Sequence, residues 1–311
     1  MVSVIICTHN RAKDLQYCLE SFVRQDCGLQ NFEVLVIDNA SSDNTAKVVS
    51  EYSERYPSFK YHFEPNVGLS YARNTGNQYA TYDLVAYCDD DAEAADDFVS
   101  QVLNTFQSYS FDAIGGRFLP LYRNKKKKWL PADFGSNLEA RPDIGDMPDG
   151  HSICGGVMAF KKERLSLVGG FPVNLGMKGN KIGYGEDNWI QDKFIEKGFR
   201  VGFNPHWKIH HLVALYKQKL SWHIKSRYAH AKASFDLWPE AKKSNVSLKW
   251  LLIHSMKELG KSTKIIVRQA RRNYYMQNFI LDIISPQASL LGYYHAHKMQ
   301  SRNLQNSICK I

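Results

Sequence analysis

Residues 84–92 read L-V-A-Y-C-D-D-D-A, an apolar run that ends without a break on Asp89, Asp90 and Asp91. The run Leu84–Cys88 predicts a buried β-strand, and three adjacent carboxylates at its end repel one another. Burying them near a sheet edge is costly unless a cation compensates. A hard divalent ion held by one or two carboxylates plus phosphate oxygens is the usual answer. A solvated acidic turn capping the next helix is the plainer alternative, because Asp96 and Asp97 follow closely.

Outward from this strand, β and helical signals alternate. Strands are expected at Val2–Cys7, Glu33–Ile37, Lys60–Phe63 and Ala113–Phe118. Helices are expected at Ala12–Arg24, Thr45–Tyr56, Ser70–Tyr79 and Asp97–Phe106. This alternation predicts an α/β fold of βαβ units around a mainly parallel sheet, with helices on both faces. Ligands of such sheets bind beyond the carboxyl ends of the strands. Residues 119–151 are polar and irregular and include the run Lys125–Lys128. A strand (Gly155–Phe160), a short helix or turn (Lys161–Leu167) and a helix (Glu186–Lys197) follow. The strand Arg200–Phe203 precedes Pro205 and the pair His210–His211. Thereafter helices dominate, at about 219–237, 246–258, 261–283 and 285–300, so a catalytic domain over 1–215 and a basic helical region over 216–311 are expected.

The charge divides at nearly the same place. The 311 residues hold 40 Lys and Arg against 31 Asp and Glu, a net +9, with 44% apolar and 23% charged residues. This is globular usage and excludes a disordered or collagen-like chain. Residues 212–311 carry 12 Lys and 5 Arg against Asp236, Glu240, Glu258 and Asp282, a net +13; residues 1–211 carry −4. No apolar run approaches the length of a membrane span, and residues 1–7 read as a strand rather than a signal peptide. Cys7, Cys18, Cys27, Cys88, Cys154 and Cys309 form no C-x-x-C pair and no zinc spacing. They read as reduced packing thiols, with a cytoplasmic address as the default.

Four further places carry chemistry-bearing residues. Asp38 ends the second strand in V-I-D-N-A-S-S-D-N-T, where turn and cap chemistry explains Ser41–Asn44 better than it explains Asp38. Arg73 lies early in a helix entered through Gly68, a setting that suits a phosphate contact or simply a solvated surface arginine. Glu186 and Asp187 open a helix after a glycine-rich loop, where they favour the helix dipole or supply a general base. His210 or His211 is a structural histidine or one metal ligand. Neither G-x-G-x-x-G nor G-x-x-x-x-G-K-[ST] occurs, which argues against dinucleotide and P-loop sites.

Taken in order, S-V-I-I-C-T-H-N-R, V-L-V-I-D-N-A-S-S-D-N-T, N-V-G-L-S-Y-A-R-N-T-G, Y-C-D-D-D-A and G-Y-G-E-D resemble the family 2 glycosyltransferases. The resemblance covers roughly residues 1–212 and implies a GT-A fold, a nucleotide-sugar donor (UDP by family frequency) and a divalent metal, Mn or Mg. It implies that Thr8, Arg11, Asp38, Arg73, Asp89 and Asp90 line the donor nucleotide site. Asp91 and one of His210 and His211 become the metal ligands. Asp187 becomes the base with Glu186 as its partner, and Gly155, Gly156 and Trp189 lie toward the acceptor. Two departures are visible: Val157 stands where many relatives carry Asn, and the Q-x-x-R-W motif of processive members is absent. With no membrane span, a single sugar addition with inversion is expected, to a glycan or lipid-linked acceptor in polysaccharide or glycoconjugate biosynthesis.

Apolar, aromatic and basic residues mix through Leu248–Leu259 and Ile265–Ile284, including Trp250, Lys257, Arg268, Arg271, Arg272, Tyr274 and Tyr275. The pattern suits a helix at an anionic membrane surface, and equally a helical subdomain that packs on the catalytic domain or forms a homo-oligomer. A basic region with interleaved aromatics also suits nucleic acid. No nucleic-acid motif is present, however, and the acidic portion would serve no purpose there. A non-catalytic nucleotide-sugar binder is disfavoured by the intact D-x-D and E-D motifs.

Overall fold

The computed structural model describes residues 1–137, 140–237, 246–269 and 274–308. Two compact units are resolved. The first comprises Met1–Arg123, Asp133–Lys181 and Glu186–Val213; the second comprises Asn124–Ala132, Ile182–Gly185 and Ala214–Ile311.

The first unit is built on one mixed sheet. Its strands are β1 (Val2–Thr8), β2 (Phe32–Asp38), β3 (Phe59–Phe63), β4 (Leu84–Asp89), β5 (Ala92–Ala94), β6 (Ala113–Leu121), β7 (Gly145–Asp146), β8 (Val157–Lys161) and β9 (Val201–Leu212). The spatial order is β3-β2-β1-β4-β8-β6-β9-β5, with β7 paired to β9. The first four strands are parallel, as the strand–helix alternation predicts. Beyond β4 the sheet becomes mixed: β8 runs antiparallel to β4 and β6, β6 and β9 are parallel, and β5 and β7 are antiparallel to β9.

Both faces of the central strands are covered, which is why they read as continuous apolar runs. Val2, Val4 and Ile6 pack against α1 (Ala12–Val23), α2 (Thr45–Arg55) and α4 (Phe98–Ser108) through Leu15, Leu19, Phe22, Val49, Phe98 and Val102. On the opposite face Ile5, Leu35 and Val85 meet α3 (Leu69–Tyr79), α5 (Lys162–Leu167) and α6 (Glu186–Glu196) through Ala72, Leu165, Ile190 and Phe194. Gly76 of α3 lies so close to Ile5 that no Cβ would fit.

Strand β9 does not stop at Phe203 but continues through Pro205 and both histidines to Leu212. Its register to β6 shifts between Gly115 and Arg117, and Asn204 turns the chain there. The Asn204 side chain accepts the His206 and Trp207 amides at 2.8 and 3.2 Å and donates to Thr105 at 2.8 Å. A local side-chain turn thus absorbs the proline that reads, in sequence, as a strand end. The five cysteines among the described residues are free thiols, and burial pushes the Cys7 pKa up to about 12; Cys309 lies outside the described residues.

The second unit contains α7 (Leu220–Leu237), α8 (Leu248–Gln269) and α9 (Met276–Ile308). Helices α7 and α9 pack closely: Gly292 lies against the Tyr228 carbonyl, and Tyr228 Oη is 2.8 Å from His295 Nδ1. The chain does not break at Gly260 or before Pro286, because α8 and α9 run through those positions. A helix-interior proline frees the carbonyl four residues earlier. For Pro286 that is Asp282, whose carbonyl accepts the buried Ser262 hydroxyl from α8. Arg271 and Arg272 lie outside the described residues. Among the described residues no helix is long and apolar enough to cross a membrane.

Candidate active site

The register of the parallel strands brings the first acidic groups together. Thr8 pairs with Asp38, and Cys7 with Asp89, so the carboxyl ends of β2, β1 and β4 lie side by side. Asp38 is buried, accepting the Ser41 amide at 2.9 Å and the Tyr61 hydroxyl at 2.8 Å. Tyr61, on β3, has no local sequence signal; only the β2–β3 register reveals it.

Asp90 and Asp91 are buried, and one Arg11 nitrogen lies 2.9 Å from a carboxylate oxygen of each. Burial raises the Asp90 pKa to about 6, opposed by Arg11 and the Thr8 hydroxyl and reinforced by Asp91. The short β5, absent from the sequence expectation, pairs Ala92 with His211. His211 Nε2 lies 3.1 Å from Asp91 and 3.7 Å from Asp89. His210, one residue earlier, is exposed on the other side of the strand. Strand alternation therefore brings His211, not His210, to the aspartates. Ligand atoms of Asp89, Asp91 and His211 all lie within 4.8 Å of one another. Two carboxylates and one imidazole are a donor set that fits a divalent metal ion.

A second cluster adjoins the first through Gly155 and Gly156. A Cβ on Gly156 would collide with the Asp89 carboxylate, and one on Gly155 with the Arg73 guanidinium. The Gly155 amide donates to Asp187 at 3.0 Å, and the Asn188 amide donates to its other oxygen at 2.9 Å. Two glycine residues of backbone thus separate Asp89 from Asp187. Arg73 is turned inward: it donates to Glu186 at 2.7 Å and to the Gly155 carbonyl at 3.0 Å, and lies 5.2 Å from the Phe171 ring centroid. Burial works against the Arg73 charge, but Glu186 together with Cys7, Asp89 and Asp187 outweighs it and holds the pKa above its ordinary value. Burial pushes the Glu186 carboxyl upward, against the pull of Arg73. Arg73 is thus not a solvated surface arginine, and Glu186, in the first turn of α6, is buried against it. Gly176, at φ +82°, packs on the Glu186 carboxylate. Trp189 is half-buried on α6, with Lys193 5.6 Å from its ring centroid.

The family model described as glycosyl transferase family 2 matches residues 3–168. The chain belongs to that family. This family 2 glycosyltransferase is 25% identical over 262 residues to the glucosyl-dolichyl phosphate glucuronosyltransferase of Haloferax volcanii, spanning 81% of this chain and 83% of that one. It is 26% identical over 204 residues to glycosyltransferase AglE of the same organism, spanning 65% and 64% of the two lengths. The mannosyltransferase PcManGT from Pyrobaculum calidifontis, solved with GDP-Man and Mn2+, superposes with a TM-score of 0.61 at 20% identity, covering 95% of this chain and 86% of its own. S. aureus TarS 1–349, solved with UDP-GlcNAc, gives 0.56 at 14% identity, covering 97% and 92%. The fold of this glycosyltransferase is GT-A.

Proposed function

We propose that residues 1–215 catalyse inverting transfer of a single sugar from a nucleotide-sugar donor, UDP being the favoured carrier, to a hydroxyl of a glycan or lipid-linked acceptor. The observation that carries this reading is the convergence of Asp89, Asp91 and His211 on one side of Gly155–Gly156 and Asp187 on the other. Two chemical tasks then fall to adjacent clusters. The relative named for a glucosyl-dolichyl phosphate substrate supports the lipid-linked form of the acceptor.

Asp187, oriented by the amides of Gly155 and Asn188, accepts the proton of the acceptor hydroxyl. The acceptor oxygen bonds to the anomeric carbon as the bond to the diphosphate oxygen breaks on the opposite face. Positive charge develops on the sugar ring during this exchange, as in glycoside cleavage generally. Asp89, Asp91 and His211 would hold a divalent cation, whose charge would offset the negative charge developing on the departing diphosphate. Thr8 and Asp38 form the donor base end of the site, and Arg11 balances Asp90 and Asp91. Arg73 fixes Glu186 and Gly155, and through Gly155 the base. Trp189 contributes to the acceptor side.

Incubation with a panel of UDP-, GDP- and other nucleotide-activated sugars tests the reading. The expected result is nucleoside diphosphate release that Mn2+ or Mg2+ supports and a chelator abolishes. Saturable donor binding without release across donors and acceptors would make the chain a binder instead.

A further inference from the structure

Helix α8 packs against α9 on one face: Ser262 reaches the Asp282 carbonyl, and the Trp250 ring lies 5.7 Å from that of Tyr293. The opposite face is apolar and exposed. Leu248, Leu252, Met256 and Leu259 follow one another at steps of four, four and three residues, a single stripe along the helix. Leu252 is 59% and Met256 74% exposed. Ile253 adjoins the stripe and is also exposed. Contiguous exposed apolar surface of this kind marks an interaction site.

The charges beside the stripe identify its occupant. Lys249 and Lys257 are exposed among the apolar residues, and α8 carries five basic residues and one acidic residue, Glu258, which pairs with Lys261. An isologous contact between two copies of this face would gather the Lys249 and Lys257 side chains of both copies into one interface, an unfavourable crowding of like charges. A lipid surface with anionic headgroups takes both parts together, the apolar stripe entering the acyl boundary and the lysines meeting the headgroups. The helix is not apolar enough to cross a bilayer, so contact with one would be along its surface. We propose that the exposed face of α8 binds anionic lipid bilayers, with the stripe Leu248–Leu252–Met256–Leu259 immersed. This goes beyond the transfer reaction and does not depend on it.

Co-sedimentation of the full chain with vesicles tests the proposal, comparing phosphatidylcholine alone with phosphatidylcholine mixed with phosphatidylglycerol. Binding is expected on the anionic vesicles and should weaken as salt is raised. Leu252→Ser combined with Met256→Ser should weaken that binding roughly 10-fold or more. Lys249→Gln and Lys257→Gln should each weaken it about five-fold on anionic vesicles and leave the phosphatidylcholine result unchanged. All four side chains are exposed, so an unchanged unfolding midpoint confirms that the variants are folded. Equal binding to both vesicle types would overturn the proposal, as would binding insensitive to these substitutions. A parent chain that is dimeric in gel filtration and made monomeric by the Leu252/Met256 variant would also overturn it, showing that the face is a self-contact.

Discussion

Arg73→Met is the most informative single perturbation of the site, because it removes a charge and keeps most of the volume. Arg73 and Glu186 have side chains only 3% and 8% exposed and lie 2.7 Å apart. Removing one partner of a buried pair leaves the other charge uncompensated, a cost of about 3–5 kcal/mol. The Gly155 carbonyl also loses its guanidinium donor, adding about 1 kcal/mol. Glu186 limits the total by taking up a proton, since burial already pushes its pKa upward. A net loss of about 4 kcal/mol is a large share of the roughly 5–15 kcal/mol that holds a domain folded. It should lower the unfolding midpoint by roughly 8–16 °C. Adding Glu186→Gln to Arg73→Met should recover more than half of the loss, because the neutral amide no longer needs a counterion. Urea denaturation followed by circular dichroism measures all four members of this cycle. A loss below about 1 kcal/mol for Arg73→Met, or additive single effects, would refute the buried-pair account and return Arg73 to the donor site.

Four other outcomes are expected. Asp187→Asn should retain donor binding and lose turnover by about 100-fold or more, measured as nucleoside diphosphate release against donor affinity. His211→Ala should weaken Mn2+ support of donor binding by roughly 10–100-fold in metal titrations, while His210→Ala leaves it unchanged. Ser262→Ala should leave the Asp282 carbonyl without its donor and cost about 1–3 kcal/mol in denaturant unfolding, without altering donor affinity. Burial alone would raise the Glu33 pKa, but Lys60, Ser3 and Thr81 outweigh it and the folded value is depressed. Its stabilisation is therefore complete above about pH 4.3 and is lost as pH falls through the lower folded value; Glu33→Gln should flatten that acid limb.

The first half of the fold is legible because its physics is local. Strands β1, β2 and β4 are buried on both faces and read as unbroken apolar runs, and their helices show one apolar face each. The mixed half is harder to read. Strands β5 and β7 span three and two residues, too few for periodicity to register, and their pairing depends wholly on β9. Pro205 and Pro286 mislead for a related reason: a side chain takes up backbone groups beside each, the adjacent Asn204 in the first case and Ser262 of α8 in the second. The acidic positions of the site are visible as motifs, whereas their partners are not. Nothing local in the sequence shows that Arg73 faces Glu186, that Arg11 bridges two aspartates, or that Gly155 and Gly156 leave space for charged side chains.

The position of β9 in the chain has a consequence for biogenesis. As residues leave the ribosome, Asp89 and Asp91 are present long before His211, and Gly155 before Asp187. The family-matched segment 3–168 contains the carboxylates of D-x-D, Arg73 and Gly155 but neither Asp187 nor His211. On the proposed mechanism, competence would wait until α6 has supplied Asp187 and β9, paired with β6 and β5, has brought His211 to Asp91. A nascent or truncated chain that ends before His211 would hold the D-x-D carboxylates without the imidazole that the fold places beside them.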